Sequence, residues 1–235
     1  YQAHLERRVA VKVMTPEHAR NPVAADYFFR EAKFSSKLRH PNIIQIIDYG
    51  KEDDDTVFMA MEFVPGQPLS SILREEWPLS ADRISNIFIQ TLSALEEAHS
   101  KKIVHRDLKP DNLMIEKTLM GEDFVKVLDF GIAQSKADGA KQGQLTQAGS
   151  LVGTPNYMSP EQAKGESVDH RSDLFSMGVI LYEILTGKKP FRGKHVPQIL
   201  VSVITDVPSP PSAVVTDEHE VDPDLETICL RAMRK

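Results

Sequence analysis

Only one cysteine, Cys229, stands among the 235 residues, which excludes an internal disulfide and suits a reducing compartment. It falls in a stretch that reads as a late helix, where burial is expected over reactivity. Long apolar runs are also missing. Nothing approaches the about 20 residues that a membrane-spanning helix requires, and the most apolar stretch, Asp173 to Leu185, reads as a core helix. No signal peptide, internal repeat or low-complexity tract is visible. Positive charge is not in excess: 28 Lys and Arg against 34 Asp and Glu leave a net charge of −6. That balance argues against nonspecific binding to nucleic acid or an anionic membrane. What is present, 41% hydrophobic and 26% charged residues, supports one large domain or two lobes sharing a cleft.

Strand patterns dominate early, over Val9 to Met14, Ile43 to Tyr49 and Val57 to Phe63, with one helix between, from Ala24 to Leu38. Asp53-Asp54-Asp55 reads as a solvated hairpin turn, and Val64-Pro65-Gly66 breaks the pattern. Helices prevail afterwards, notably Ser80 to Ser100, with Ser80 as N-cap and Arg83 in the first turn. Two short strands, Leu113 to Ile115 and Val125 to Leu128, bracket a turn near Gly121, and the three prolines between Val207 and Pro211 mark a rigid loop. The expectation is an α+β chain: a small antiparallel β lobe with one helix, a hinge, and a larger, mainly α-helical lobe.

Two motifs carry chemistry. His105-Arg106-Asp107-Leu108-Lys109-Pro110-Asp111-Asn112 is followed across the probable hairpin by Asp129-Phe130-Gly131. Asp107 is a candidate base, Asn112 and Asp129 are candidate Mg²⁺ ligands, and Lys109 is a cation beside them. Phosphoryl transfer needs this set: a group to orient the attacking hydroxyl, hard oxygen ligands, and fixed positive charge. The chain here resembles the protein-kinase family, whose signature holds the same elements. Lys109, two residues after the Asp, is typical of Ser/Thr-directed members. Three further stretches follow in the family's order: the strand Val9-Ala10-Val11-Lys12-Val13, then Gly153-Thr154-Pro155-Asn156-Tyr157-Met158-Ser159-Pro160-Glu161, then the helix opened by Asp173.

The resemblance implies a bilobal protein-kinase fold and an ATP-dependent serine/threonine kinase acting on Ser/Thr hydroxyls of proteins. Residues 1–64 would form the N-lobe and 65–235 the C-lobe. The resemblance also implies a fragment, lacking the first strand, the Gly-rich loop and the C-terminal end. Lys12 would hold the ATP phosphates and pair with Glu31. Adenine would lie between Ala10 and Met114, with hinge backbone contacts from Glu62 and Val64 and with Met61 limiting the pocket behind. Asn112 and Asp129 would hold Mg²⁺, or Mn²⁺ in its place. Asp107 would orient the substrate hydroxyl, Lys109 would neutralise the transferred group, Thr154 would help fix both, and Asp173 would grip the catalytic loop.

Control is implied as well. Arg106 before the Asp is common in members that need a phosphate on the segment from Asp129 to Glu161, and Thr146 and Ser150 are its candidate sites, modified in trans through self-association. Ser35, four residues after Glu31, stands where many members place a bulky apolar residue facing Phe130. The Gly153 to Gln162 string is most similar to bacterial eukaryotic-like kinases, which implies a cytoplasmic domain, in some members tethered to a membrane anchor elsewhere in the chain. No nucleic-acid partner and no membrane contact by this segment are expected. Two other readings compete: a pseudokinase scaffold, disfavoured by the intact Lys12, Glu31, Asp107, Asn112 and Asp129, and a small-molecule kinase, disfavoured by the intact Gly153 to Glu161 segment.

Overall fold

The computed structural model describes residues 6–52, 56–130, 155–215 and 220–235. Strand β1 (Val9–Val13) leads through a one-turn helix α1 (Pro16–Ala19) to helix α2 (Pro22–Ser35), then to strands β2 (Ile46–Lys51) and β3 (Val57–Glu62). These three strands form an antiparallel sheet in the order β1-β3-β2. Residues Val57, Met59 and Met61 of β3 are buried and their neighbours only half so, the period-2 alternation of a sheet with one covered face. Phe28 and Ala32 of α2 pack with them and with Ile44 in a small core of their own.

Three elements here depart from the sequence reading. Helix α2 starts two residues earlier than expected, because the Asn21 side chain accepts from the Val23 and Ala24 amides while Pro22 takes the first helical position. It also ends earlier, at Ser35, the next amides bonding back only three residues at Lys37 and Leu38. The second departure is Ile43, which is not in the sheet. The segment Asn42–Ile44 bonds instead to Val127, through Val127 N–H to the Asn42 carbonyl (2.8 Å) and Ile44 N–H to the Val127 carbonyl (3.0 Å). Burying Ile43 in the larger core, rather than continuing the strand, stitches the two cores together. Helix α1 adds a turn where a single helix was expected, and Asp53–Asp55 lie outside the described residues.

The chain then enters a second sheet, β4-β5-β6, made of β4 (Gln67–Pro68), β5 (Leu113–Lys117) and β6 (Asp123–Val127). Between β4 and β5 run α3 (Leu69–Glu75) and α4 (Ala81–Ser100). Ser80 caps α4 by accepting from Arg83 N–H at 3.3 Å. Ile84, Ile87, Thr91, Ala94, Leu95 and Ala98 form its buried stripe. Arg83 does more than occupy the first turn: its Nε donates to the buried Asp123 carboxylate at 2.6 Å, tying α4 to the start of β6. The β5–β6 turn closes at Gly121, whose φ of +82° suits glycine.

The larger core is built around α6 (His170–Thr186), which follows the short α5 (Pro160–Lys164). Helix α6 begins at His170, three residues before the expected opening, because Asp169 caps it by accepting from Arg171 N–H. It is buried nearly all round, as the apolar run predicts, with α7 (Val196–Thr205) and α8 (Pro223–Ala232) completing the lobe. At Gly178, an added Cβ would meet Met233 Cγ at 2.8 Å and Ala232 Cβ at 2.9 Å, so glycine lets α8 approach α6. The structure is the α+β bilobal arrangement expected from the sequence.

Cys229 lies on α8, fully buried, its thiol donating to the Gly178 carbonyl at 3.4 Å. Burial pushes its pKa up to about 12, with Glu226 adding to the effect. The thiolate is therefore scarce at neutral pH. A disulfide-exchange reagent at pH 8 should leave the folded protein unlabelled and react fully once denaturant opens α8. Rapid stoichiometric labelling without denaturant would contradict this packing.

Candidate active site

Strand β1 brings Lys12 opposite Met59, and the third turn of α2 brings Glu31 to meet it. Lys12 Nζ lies 3.1 Å from Glu31 Oε1 and 3.1 Å from Asp129 Oδ1. The first contact is the expected pair. The second carboxylate is one that the sequence reading assigned only to metal. Burial works against the charged amine, but Asp129 and then Glu31 outweigh it, and the Lys12 pKa lies above its ordinary value. Burial pushes the Glu31 pKa up; Lys12 opposes this, while the charges of Asp129 and Asp107 reinforce it. One ammonium thus serves several carboxylates.

The loop from Ile103 to Lys109 is held from below. Asp173, in the first turn of α6, is completely buried and accepts from His105 N–H (2.8 Å) and Arg106 N–H (2.9 Å). His99, at the end of α4, reaches the same carboxylate through Nε2 at 2.6 Å. His105 is itself buried, and desolvation lowers its pKa, keeping the ring neutral. Its Nε2 bonds the Leu128 carbonyl at 2.8 Å, and Asp107 N–H donates to its Nδ1 at 3.3 Å. The neutral ring therefore donates to one loop and accepts from the other. Phe130 packs against it with the rings tilted, their centroids 4.7 Å apart.

Above this base, Lys109 Nζ donates to Asp107 Oδ2 at 3.0 Å. Asn112 Nδ2 donates to the Asp107 carbonyl at 2.7 Å and to Oδ2 at 3.3 Å. Leu128 N–H closes the gap between the loops by bonding the Asn112 carbonyl at 2.9 Å. Asp107, Lys109, Asn112, Asp129, Lys12 and Glu31 are thus brought together, while Thr154 lies outside the described residues. Asn112 commits its amide nitrogen to Asp107, which leaves its oxygen for a cation.

Among the described residues no group of three or more His, Cys, Asp or Glu side chains could enclose a metal. One carboxylate and one amide oxygen form the sparse, hard donor set that fits Mg²⁺, an ion that keeps water and phosphate ligands. The five residues assigned to adenine lie on β1, on β3 and the stretch just after it, and on β5. Met61 is buried in the small core, Ala10 and Val64 pack against that core, and Met114 sits half-buried on β5 opposite Lys126. The backbone N–H of Glu62 is already taken by the Gln45 carbonyl at 3.0 Å, so a hinge contact at Glu62 falls to its carbonyl. Its carboxylate accepts from Gln45 N–H and Lys126 Nζ, both at 2.8 Å.

Sequence reasoning missed three supports. His99 gave no signal beyond its helix position. Lys126 is one charge among many until β6 pairs with β5. Gln162 was quoted only as part of a string, yet its Nε2 donates to the Arg106 carbonyl at 2.7 Å. Glu161, beside it, accepts from the Ser172 hydroxyl. Arg106 has φ of +69°, and its Nε is buried with no hydrogen-bond partner among the described residues. Burial lowers the pKa of its guanidinium, which Asp173 partly offsets.

Replacing Asp173 by Ala removes an acceptor from two loop amides and from His99. The cost should be about 3–5 kcal/mol, the scale of an uncompensated buried network. Hydrogen exchange should show lost protection at His105 and Arg106 before the rest of the lobe; unchanged protection there would contradict the anchoring role.

The chain matches the family model described as the protein kinase domain over residues 1–230. It is 44% identical over 234 residues to serine/threonine-protein kinase pkn3 of Myxococcus xanthus, covering 100% of this chain and 43% of that protein. To serine/threonine-protein kinase PknB of Mycobacterium tuberculosis H37Rv it is 39% identical over 235 residues, covering 98% of this chain and 36% of that protein. The chain therefore spans less than half the length of these curated relatives. With its two sheets, its helical lobe and this cleft, the chain belongs to the protein kinase domain family.

Proposed function

We propose that this chain is the catalytic domain of an ATP-dependent serine/threonine protein kinase, residues 1–64 forming its N-lobe and 65–235 its C-lobe. The observation that carries the reading is the juxtaposition of two clusters: Lys12 between Glu31 and Asp129, and Asp107 between Lys109 and Asn112. Together they supply the charges that phosphates, a cation and a hydroxyl require where they meet, which a non-catalytic scaffold does not need.

In this reading Asp129 and the amide oxygen of Asn112 hold Mg²⁺, or Mn²⁺, which when bound supplies charge neutralisation at the phosphates. Lys12, kept cationic by its two carboxylates, binds the phosphate oxygens. The Glu62 carbonyl and the Val64 backbone take the adenine edge, between Ala10 and Met114, and Met61 closes the rear. Lys109 and Asn112 both occupy Asp107 Oδ2, so Oδ1 is the oxygen assigned to the substrate hydroxyl, which it orients and whose proton it accepts. Lys109 lies where it offsets charge on the group being transferred, with Thr154 as a further support of the loop. Positioning and electrostatics supply nearly all the effect.

Arg106 supports a second layer. A guanidinium with an unpartnered buried Nε gains most from an added anion. A phosphate on Thr146 or Ser150, placed in trans by a second copy, is the proposed anion; both residues lie outside the described structure. The site is assigned to the cytoplasm, with protein substrates and no nucleic acid. Among the described residues, no helix is long and apolar enough to cross a membrane.

With the full-length protein, Mg²⁺ and a generic Ser/Thr protein, γ-phosphate transfer is expected at roughly 1–100 s⁻¹ in the active form. Asp107→Ala should abolish it while ATP affinity stays within about threefold; undiminished transfer by that variant would sink the assignment. Phosphopeptide mapping of active protein should find Thr146 first and Ser150 second, and finding neither modified would remove the regulatory proposal.

A further inference from the structure

Arg106 adopts a left-handed backbone, φ +69°, immediately before Asp107. For a side chain of this size that conformation costs on the order of 1–3 kcal/mol unless the surroundings impose it. Two side chains impose it. Asp173 takes the Arg106 N–H at 2.9 Å, and Gln162 Nε2 donates to the Arg106 carbonyl at 2.7 Å. The peptide that Gln162 holds is the one joining Arg106 to Asp107, and its own N–H bonds His105 Nδ1. Rotation of that peptide would carry the Asp107 side chain with it.

Gln162 is itself fixed at both ends. It is the third residue of α5, whose N-cap is the fully buried Ser159. The Gln162 Oε1 accepts from Ser159 N–H at 3.0 Å, and Gln162 N–H donates to Ser159 Oγ at 3.3 Å, a reciprocal capping box. The donors around it settle the amide's orientation: Oε1 faces an N–H, so Nε2 must face the carbonyl. A glutamate could form the same box, because only Oε1 is used in it. Glutamate could not supply the second bond, since an ionised carboxylate would oppose the Arg106 carbonyl with oxygen against oxygen.

We propose that Gln162 is a positioning residue for phosphoryl transfer, coupling the end of the segment 129–161 to the Asp107 peptide. The residues flanking the box are tied to α6, Glu161 accepting from the Ser172 hydroxyl and the Tyr157 carbonyl from Ser176 Oγ. The orientation of Asp107 thereby depends on the seating of the segment that receives the substrate. Asp107 touches the hydroxyl; Gln162 acts through the backbone that carries it. This inference rests on the kinase reading above.

The test compares wild type, Gln162→Glu and Gln162→Ala in the full-length protein. Gln162→Glu keeps the cap but sets oxygen against oxygen, so its melting temperature should fall only slightly while its KM for ATP matches wild type. Its kcat should fall by about tenfold or more, the scale of one lost positioning bond. Gln162→Ala, which loses cap and donor, should lose at least as much kcat and also melt earlier. An unchanged kcat in Gln162→Glu would overturn the proposal, as would a kcat loss matched by an equal loss of folding or ATP binding. If wild type itself transfers no phosphate, the kinase reading fails first and this inference falls with it. If wild type transfers, Asp107→Ala does not, and Gln162→Glu equals wild type, only the positioning role is lost.

Discussion

A single buried carboxylate, that of Asp173, organises the chemistry of this domain. Removing a charge from water costs several kcal/mol unless other groups replace the lost solvent. Here the His105 and Arg106 amides and His99 replace it. Its place in the first turn of α6, where the helix dipole favours negative charge, adds a further term. The helix that carries it is buried over most of its surface. The anchor is therefore as rigid as the core, and the catalytic loop inherits that rigidity. The same helix also holds the end of the segment, through Ser172 to Glu161 and through Ser176 Oγ to the Tyr157 carbonyl at 2.7 Å. Both loops meet on one support.

Upstream of that support the balance of charge is unequal. Glu31 and Asp129 share Lys12, and Asp107 lies near enough to add to the burial that raises the Glu31 pKa. Three carboxylates against Lys12 and Lys109 leave a cleft that favours additional positive charge. A divalent cation answers that surplus, and a nucleotide polyphosphate brought in alone does not. Cation and nucleotide are thus expected to enter as a unit. On the proposed reading Lys12 would meet phosphate oxygen while keeping Glu31, the more deeply buried of its two partners.

Much of this was legible in the residues, and what was not has physical reasons. The period-2 run at β3 and the uniformly apolar run at α6 give their elements directly, because burial in a single environment writes itself into the pattern. The octet at His105 and the Lys12–Glu31 pair could be found because their chemistry demands fixed types at fixed spacing. The end of α2 and the path of Ile43 were harder. Ile43 and Ile44 are as apolar as the strand that follows them, and only the distant Val127 backbone decides that they bridge the cores. His99, Lys126 and Gln162 were invisible for the same reason. Each is an ordinary polar residue locally, and each acquires its role far along the chain: His99 across 74 positions, Lys126 across 64 and Gln162 across 56.

Two backbone outliers show where such long-range contacts matter most. Arg106 at φ +69° precedes one functional carboxylate, and Asp129 at φ +46° carries the other. Asp tolerates this region better than Arg, since its short polar side chain suits left-handed backbone. In both cases the strain is of the order of one or two hydrogen bonds. It is held by contacts from elsewhere: Asp173 and Gln162 at Arg106, and Lys12 at Asp129 with the His105 bond to Leu128 just before it. The placing of each candidate carboxylate therefore rests on residues of β1, α5 and α6 as much as on its own loop.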